Sequence, residues 1–163
     1  MMTDVAIKPA TIDDVPLILN FINALAEYEK LAHEVSATEA LLRDTLFGAQ
    51  PKAEVIIAYH HHEPVGFALF FHNYSTFLAK PGIYLEDLYV TPEARGLGIG
   101  KKLLRHLAQL ALARDCGRLE WWVLDWNESA LNFYRRLGAV PMDEWTVQRV
   151  TGDALRDLAK LEA

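Results

Sequence analysis

Apolar residues recur along this chain at two spacings, and the changes from one to the other mark out its elements. Residues 5–9 read as a short strand, after which Thr11 stands where an N-cap is wanted, with Asp13 and Asp14 in the first turn. Val15, Ile18, Leu19, Ile22, Leu25 and Ala26 follow at helical spacing and predict an amphipathic helix. Ser36-x-x-Glu39 has the form of a capping box and predicts a second helix to about Phe47, stopped by Gly48. Residues 55–59 and 65–71, rich in β-branched and aromatic side chains, predict a hairpin around the loop His60-His61-His62-Glu63-Pro64. A further strand covers 83–90 and ends at Thr91-Pro92. Ile99, Leu103, Leu107, Leu110 and Ala111 form the stripe of a helix over 98–113, entered directly from a glycine run. Residues 119–124 read as a buried strand holding Trp121 and Trp122. A short helix from Asn127 or Ser129 carries Ala130, Phe133, Tyr134 and Leu137 on one face and ends at Gly138. A strand over 145–150 and a helix over 153–162 complete the pattern. The order β-α-α-β-β-β-α-β-α-β-α predicts an α/β or α+β protein with a mixed sheet.

Length and charge refine this picture. A chain of 163 residues without repeat or linker reads as one domain over 1–163, large enough to bury a core unaided. The longest apolar runs, 55–59 and 67–71, fall far short of the ~20 residues of a membrane span. The N-terminus has no basic segment followed by an apolar stretch, and Cys116 is the only cysteine, so the expectation is a cytoplasmic protein without disulfides. Formal charge is 16 − 22 = −6, and residues 1–50, with three basic and eight acidic side chains, carry −5 of it. Four Lys/Arg and no acid fall between Arg95 and His106. That one basic turn is too small for a phosphate-backbone face, which speaks against nucleic acid. The three consecutive histidines alternate faces and lack further ligand spacing, so they read as a solvated turn and no metal site is expected.

The glycine run Arg95-Gly96-Leu97-Gly98-Ile99-Gly100-Lys101-Lys102 lies between a strand and a helix. Its amides stand at the positive end of a helix dipole, which favours an anion. A Walker loop is excluded twice, by Arg95 where the first glycine belongs and by Lys102 where the hydroxyl belongs. The dinucleotide fingerprint meets Lys101 at its last glycine, although Glu120 stands about where a ribose-binding acid would. The third pattern, R-x-x-G-x-G, is met by Arg95, Gly98 and Gly100.

With Tyr84-Leu85-Glu86-Asp87-Leu88-Tyr89-Val90 before it, and Asn127-Glu128-Ser129 through Phe133-Tyr134-Arg135-Arg136-Leu137-Gly138-Ala139 after it, that pattern resembles the GCN5-related N-acetyltransferase (GNAT) superfamily. The diamine (spermidine/spermine) N-acetyltransferase branch is the most similar. Lys8-Pro9-Ala10-Thr11 and Leu25-Ala26-Glu27-Tyr28-Glu29 are similar to that branch too, so the likeness covers most of the chain.

The resemblance implies a mostly antiparallel mixed sheet of about six to seven strands, splayed at the strand ending near Val90. It implies acetyl-CoA as co-substrate, its pyrophosphate on Gly96, Leu97, Gly98, Ile99 and Gly100 with charge from Arg95 and Lys101. The strand over Leu88, Tyr89 and Val90 would bulge and splay from its neighbour, and pantetheine would lie along its freed backbone and against Asn127, Ser129 and Ala130. Tyr134 would return a proton to the departing thiolate, although from periodicity alone it reads as a core aromatic. Glu86 would accept the amine proton through water, and Tyr28, Glu29, Glu86 and Asp87 would line the acceptor pocket. The implied acceptor is a small cationic amine, a polyamine or a lysine-like amino acid such as thialysine. Two alternatives stay open: a CoA-binding module without turnover, and an enzyme for protein N-termini or peptide lysines. Against the branch's pattern, Glu120, Trp121 and Trp122 form an unusually aromatic strand. A homodimer is also implied. Trp121, Trp122, Trp145 and the terminal helix are candidate surface for it, though each reads more simply as core.

Overall fold

The computed structural model describes residues 4–162, and its strands form one sheet in chain order, β1 (Val5–Pro9), β2 (Glu54–His60), β3 (Glu63–Ser75), β4 (Lys80–Val90) and β5 (Leu119–Trp121). The first four pair antiparallel and β5 runs parallel to β4. The helices are α1 (Val15–Tyr28), α2 (Glu39–Phe47), α3 (Ile99–Ala113), α4 (Glu128–Arg136) and α5 (Gly152–Ala159). The mixed α/β class is as expected, with five strands in place of six or seven. Contacts gather into two compact units, Met1–Leu124 and Asp125–Ala163. No helix among the described residues is long and apolar enough to cross a membrane.

In the first unit, α1 and α2 cover one face of the sheet. Val15, Ile18, Phe21 and Leu25 of α1 and Leu42 and Leu46 of α2 pack with Val55, Ile57, Phe67 and Tyr89. Phe21 stacks on Phe67 with centroids 5.2 Å apart. Buried residues of opposite strand parity, among them Ile56, Ala58, Phe70, Ile83 and Leu85, belong to the other face, and α3 contributes buried Ile99, Leu103 and Leu107. Arg114, at the end of α3, forks onto both Glu54 oxygens at 2.7 and 2.9 Å, which ties that helix to β2 and holds the Glu54 carboxyl below its usual range. Cys116 is buried.

Several local expectations shift. Thr11 caps a single 3-10 turn (Ile12–Asp14) ahead of α1, its amide donating to Asp14 Oδ2 at 2.8 Å. The second helix is capped by Thr38, whose Oγ1 accepts from Leu41 N at 3.2 Å, and not by Ser36. A Thr two residues nearer the apolar run satisfies the orphan amides as well as Ser36 could. The five-residue hairpin loop contracts to His61-His62, both left-handed (φ 50° and 68°), because a two-residue turn of that hand matches the twist of the paired strands. The strand expected over 119–124 ends at Trp121, and residues 145–150 form no strand among those described. Alternating apolar residues record which side of a segment is hidden, whereas a strand also requires a backbone partner. Trp122 and Trp145 are exposed (58% and 76%), as are Leu155 and Leu158 of α5, so none of these is core.

The second unit carries α4 and α5 joined by an irregular stretch, and neither helix buries a residue completely. The Asn127 side chain caps α4 by accepting from Ala130 N at 3.3 Å, which fixes where the helix begins. Leu137 closes it and Gly138, at φ 93°, turns the chain away.

Candidate active site

The centre of the first unit's site is a break in β4. Leu69 of β3 pairs with Asp87 and Phe70 with Leu85, so Glu86 is one residue more than β3 can match. The insertion reverses the faces downstream. Leu85 is buried beside Phe70, while Asp87, two positions on, shares the α1 side with Tyr89, whose ring lies 6.1 Å from that of Phe21. On its other edge, β4 pairs with β5 only from Ile83 to Leu85. Residues 86–90 therefore run past the end of β5 with no β5 partner among the described residues, as the expected splay requires.

Helix α1 ends over this break because its C-terminus closes in a Schellman motif. Lys30 N donates to Glu27 O at 3.0 Å and Leu31 N to Ala26 O at 2.8 Å, with Lys30 left-handed at φ 63°. Tyr28 and Glu29 fall in that last turn. The Glu29 carboxyl is held above its usual range by burial and then by the Glu86 charge. Burial, then Glu86, then Glu29 push Asp87 up to about 7. Three carboxylates are thus gathered where full ionisation is costly, and a cation brought among them offsets that cost.

Arg95 bridges from the glycine loop to the same place. Its guanidinium carbon lies 5.3 Å from the Tyr28 ring centroid and 5.9 Å from that of Tyr89, and its Nε donates to Val90 O at 3.3 Å. The loop itself turns at Gly96 and Gly98, both left-handed (φ 87° and 74°), and Gly98 is the N-cap of α3. A Cβ at either glycine would meet nothing within 4 Å, so their outer side is open to a ligand. The first amides of α3, at Ile99, Gly100 and Lys101, have no acceptor within the helix. The loop fits a phosphate group. Among the residues expected to serve it, Ile99 and Tyr89 have buried side chains and can offer only backbone, whereas Arg95 and Lys101 are exposed. Leu88, Val90 and Leu97 are half-buried.

In the second unit, Tyr134 is half-buried on α4, its ring 5.5 Å from that of Phe133. Asn127 and Ala130 form the cap of that helix, and Ser129 is exposed in its first turn.

Residues 21–139 match the Acetyltransferase (GNAT) family. The chain belongs to that family. This acetyltransferase is 40% identical to a thialysine N-epsilon-acetyltransferase of Bos taurus, over 97% of its own length and 99% of the relative's. It is 34% identical to an L-ornithine N5-acetyltransferase of Arabidopsis thaliana, over 95% and 88%. An integron cassette protein from the mobile metagenome of V.cholerae superposes with a TM-score of 0.81 at 31% identity, covering 99% of the acetyltransferase and 100% of the other chain.

The bulge that the resemblance implies over Leu88 to Val90 lies instead at Glu86, and sequence reasoning missed the meeting of Arg95 with Tyr28. Tyr84 and Glu120 were also overlooked as neighbours of the carboxylates, for which strand pairing had to be known.

Proposed function

We propose that the chain is an acetyl-CoA-dependent N-acetyltransferase for small cationic amines, polyamines or lysine-like amino acids, with both units parts of one catalytic domain. The single observation that carries the acceptor class is the convergence of Glu29, Glu86 and Asp87 beside the β4 bulge. The matched span 21–139, which includes residues of both units, supports treating them together.

Acetyl-CoA supplies an acetyl thioester, whose carbonyl carbon forms the new C–N bond as its C–S bond breaks. The amides of the 96–100 loop, with Arg95 and Lys101, hold the pyrophosphate. Backbone groups of Leu88, Tyr89 and Val90, left without a β5 partner, pair with pantetheine, and one amide there polarises the thioester carbonyl. Asn127, Ser129 and Ala130 line pantetheine at the start of α4. Glu86, exposed on the bulge, takes the proton that an alkyl ammonium of pKa ~10.4 must lose, through water. Tyr134 gives a proton to the leaving thiolate. Tyr28, Glu29 and Asp87 hold the acceptor.

A steady-state screen of polyamines, thialysine, ornithine and aminoglycosides, read by CoA release, tests this reading. Turnover with at least one aliphatic di- or triamine is expected, and acetylation confined to peptide lysines or protein N-termini refutes it. Tight CoA binding without turnover of any amine would identify a binding module instead. We also infer a cytoplasmic homodimer. Light scattering should give twice the 18.4 kDa chain mass, and a monomer at that mass contradicts it.

A further inference from the structure

Glu120, Tyr84 and Trp122 take no part in the reaction as described. We propose that Glu120, with an aromatic wall formed by Tyr84 and Trp122, receives a second positive charge on the acceptor and selects amines that carry two cationic groups. This specificity rests on the acceptor reading above.

The parallel pairing of β4 with β5 sets Glu120 directly beside Tyr84. Asn73 Nδ2 donates to Glu120 Oε1 at 3.2 Å, reaching across β4 from β3. The crossing passes over Gly82, which pairs with Asn73, and a Cβ at Gly82 would collide with Asn73 Oδ1. A glycine at this place therefore lets β3 orient a carboxylate on β5, one oxygen of which makes no hydrogen bond among the described residues. The Tyr84 ring meets Trp122 edge-on, centroids 5.7 Å apart, and Trp122 is 58% exposed, a surface suited to an alkylammonium.

Tyr84 links this place to the transfer site. Burial and then the Glu86, Asp87 and Glu120 charges hold its phenol above the usual range, so all three carboxylates lie within electrostatic reach of one hydroxyl. Arg118 lines a small cleft together with Asn73, Gly82 and Glu120. From Tyr84 to Asp87 is three residues of strand, about 10 Å at most and less through a bulge. An acceptor whose charges lie on the order of 7 to 10 Å apart would place one nitrogen by Asp87 and the other by Glu120.

The test compares spermidine and thialysine with n-butylamine, which has one charge. In the unaltered enzyme kcat/KM should favour spermidine and thialysine, each of which carries more than one ammonium group. Glu120→Gln should lower that preference about tenfold, through KM with kcat little altered. Asn73→Ala, which releases the carboxylate, should shift it the same way by less. An unchanged preference in Glu120→Gln overturns the proposal, as does an equal loss of kcat for all three amines. If the unaltered enzyme acetylates none of them, the acceptor reading itself fails, and this inference with it.

Discussion

Replacing Tyr134 by phenylalanine is expected to lower kcat about 10²- to 10³-fold while KM for acetyl-CoA moves by less than about twofold. The loss is that of one positioned proton donor. The thiolate of CoA, whose thiol has a pKa of ~8.5, must gain a proton once the C–S bond breaks, and Tyr134 is the group proposed to supply it. The ring is kept, so the contact with Phe133 and the amphipathic face of α4 persist. Steady-state kinetics beside a CoA titration check both halves. An unaltered kcat would return Tyr134 to the packing role that periodicity alone assigns.

The second large effect concerns Asp87. Its carboxyl titrates near 7 in the folded chain against an ordinary value of 3.8, so the folded state holds a proton that the unfolded state has already released. Stability therefore falls as pH rises from about 4 to about 7 and stays lower above that. A shift of about three units corresponds to roughly 4 kcal/mol, and about 2 to 4 is expected after relaxation and solvent screening. Asp87→Asn should recover that amount at pH 8, raising Tm by about 5 to 15 °C, and should change little at pH 4. The same substitution should depress kcat/KM for cationic acceptors. In the unaltered enzyme, log kcat/KM should rise with a slope of about one below pH 7 and level off above it, because Asp87 must lose its proton to hold the ammonium that Glu86 then deprotonates. Without Asp87 that rise should be absent. Calorimetry at the two pH values and a pH–rate profile check this. A gain in stability over the unaltered enzyme that is no larger at pH 8 than at pH 4 would contradict the buried-charge account.

Most of the frame could be read from residue patterns because they report local physics. The stripe of α3, the apolar positions of α1 and the glycine entry into α3 each follow from one segment's own periodicity or dihedral needs. The glycine loop was legible for the same reason, since its turns at Gly96 and Gly98 and the entry into α3 lie in one contiguous segment. What escaped was set by partners. The second helix began at Thr38 because neighbouring candidates for a cap compete on geometry that spacing does not encode. Residues 145–150 alternate well yet lack a strand beside them. The acceptor side draws on α1, β4 and β5, and the charge state of Asp87 depends on Glu29, remote in sequence and close in space. Glu86 and Asp87 were legible as candidates, whereas the inserted residue that turns Asp87 toward α1 belongs to the pairing with β3.

That inserted residue makes the acidic pair a matter of counting as much as of chemistry. Copying Glu-Asp into a regular strand would put the two side chains on opposite sides of the sheet, whereas deleting Glu86 would restore regular pairing, leave Asp87 opposite Leu69 and Tyr89 opposite Phe67 on the α1 side, and remove only the second carboxylate. Transplanting the site into another scaffold therefore means transplanting the odd residue as well.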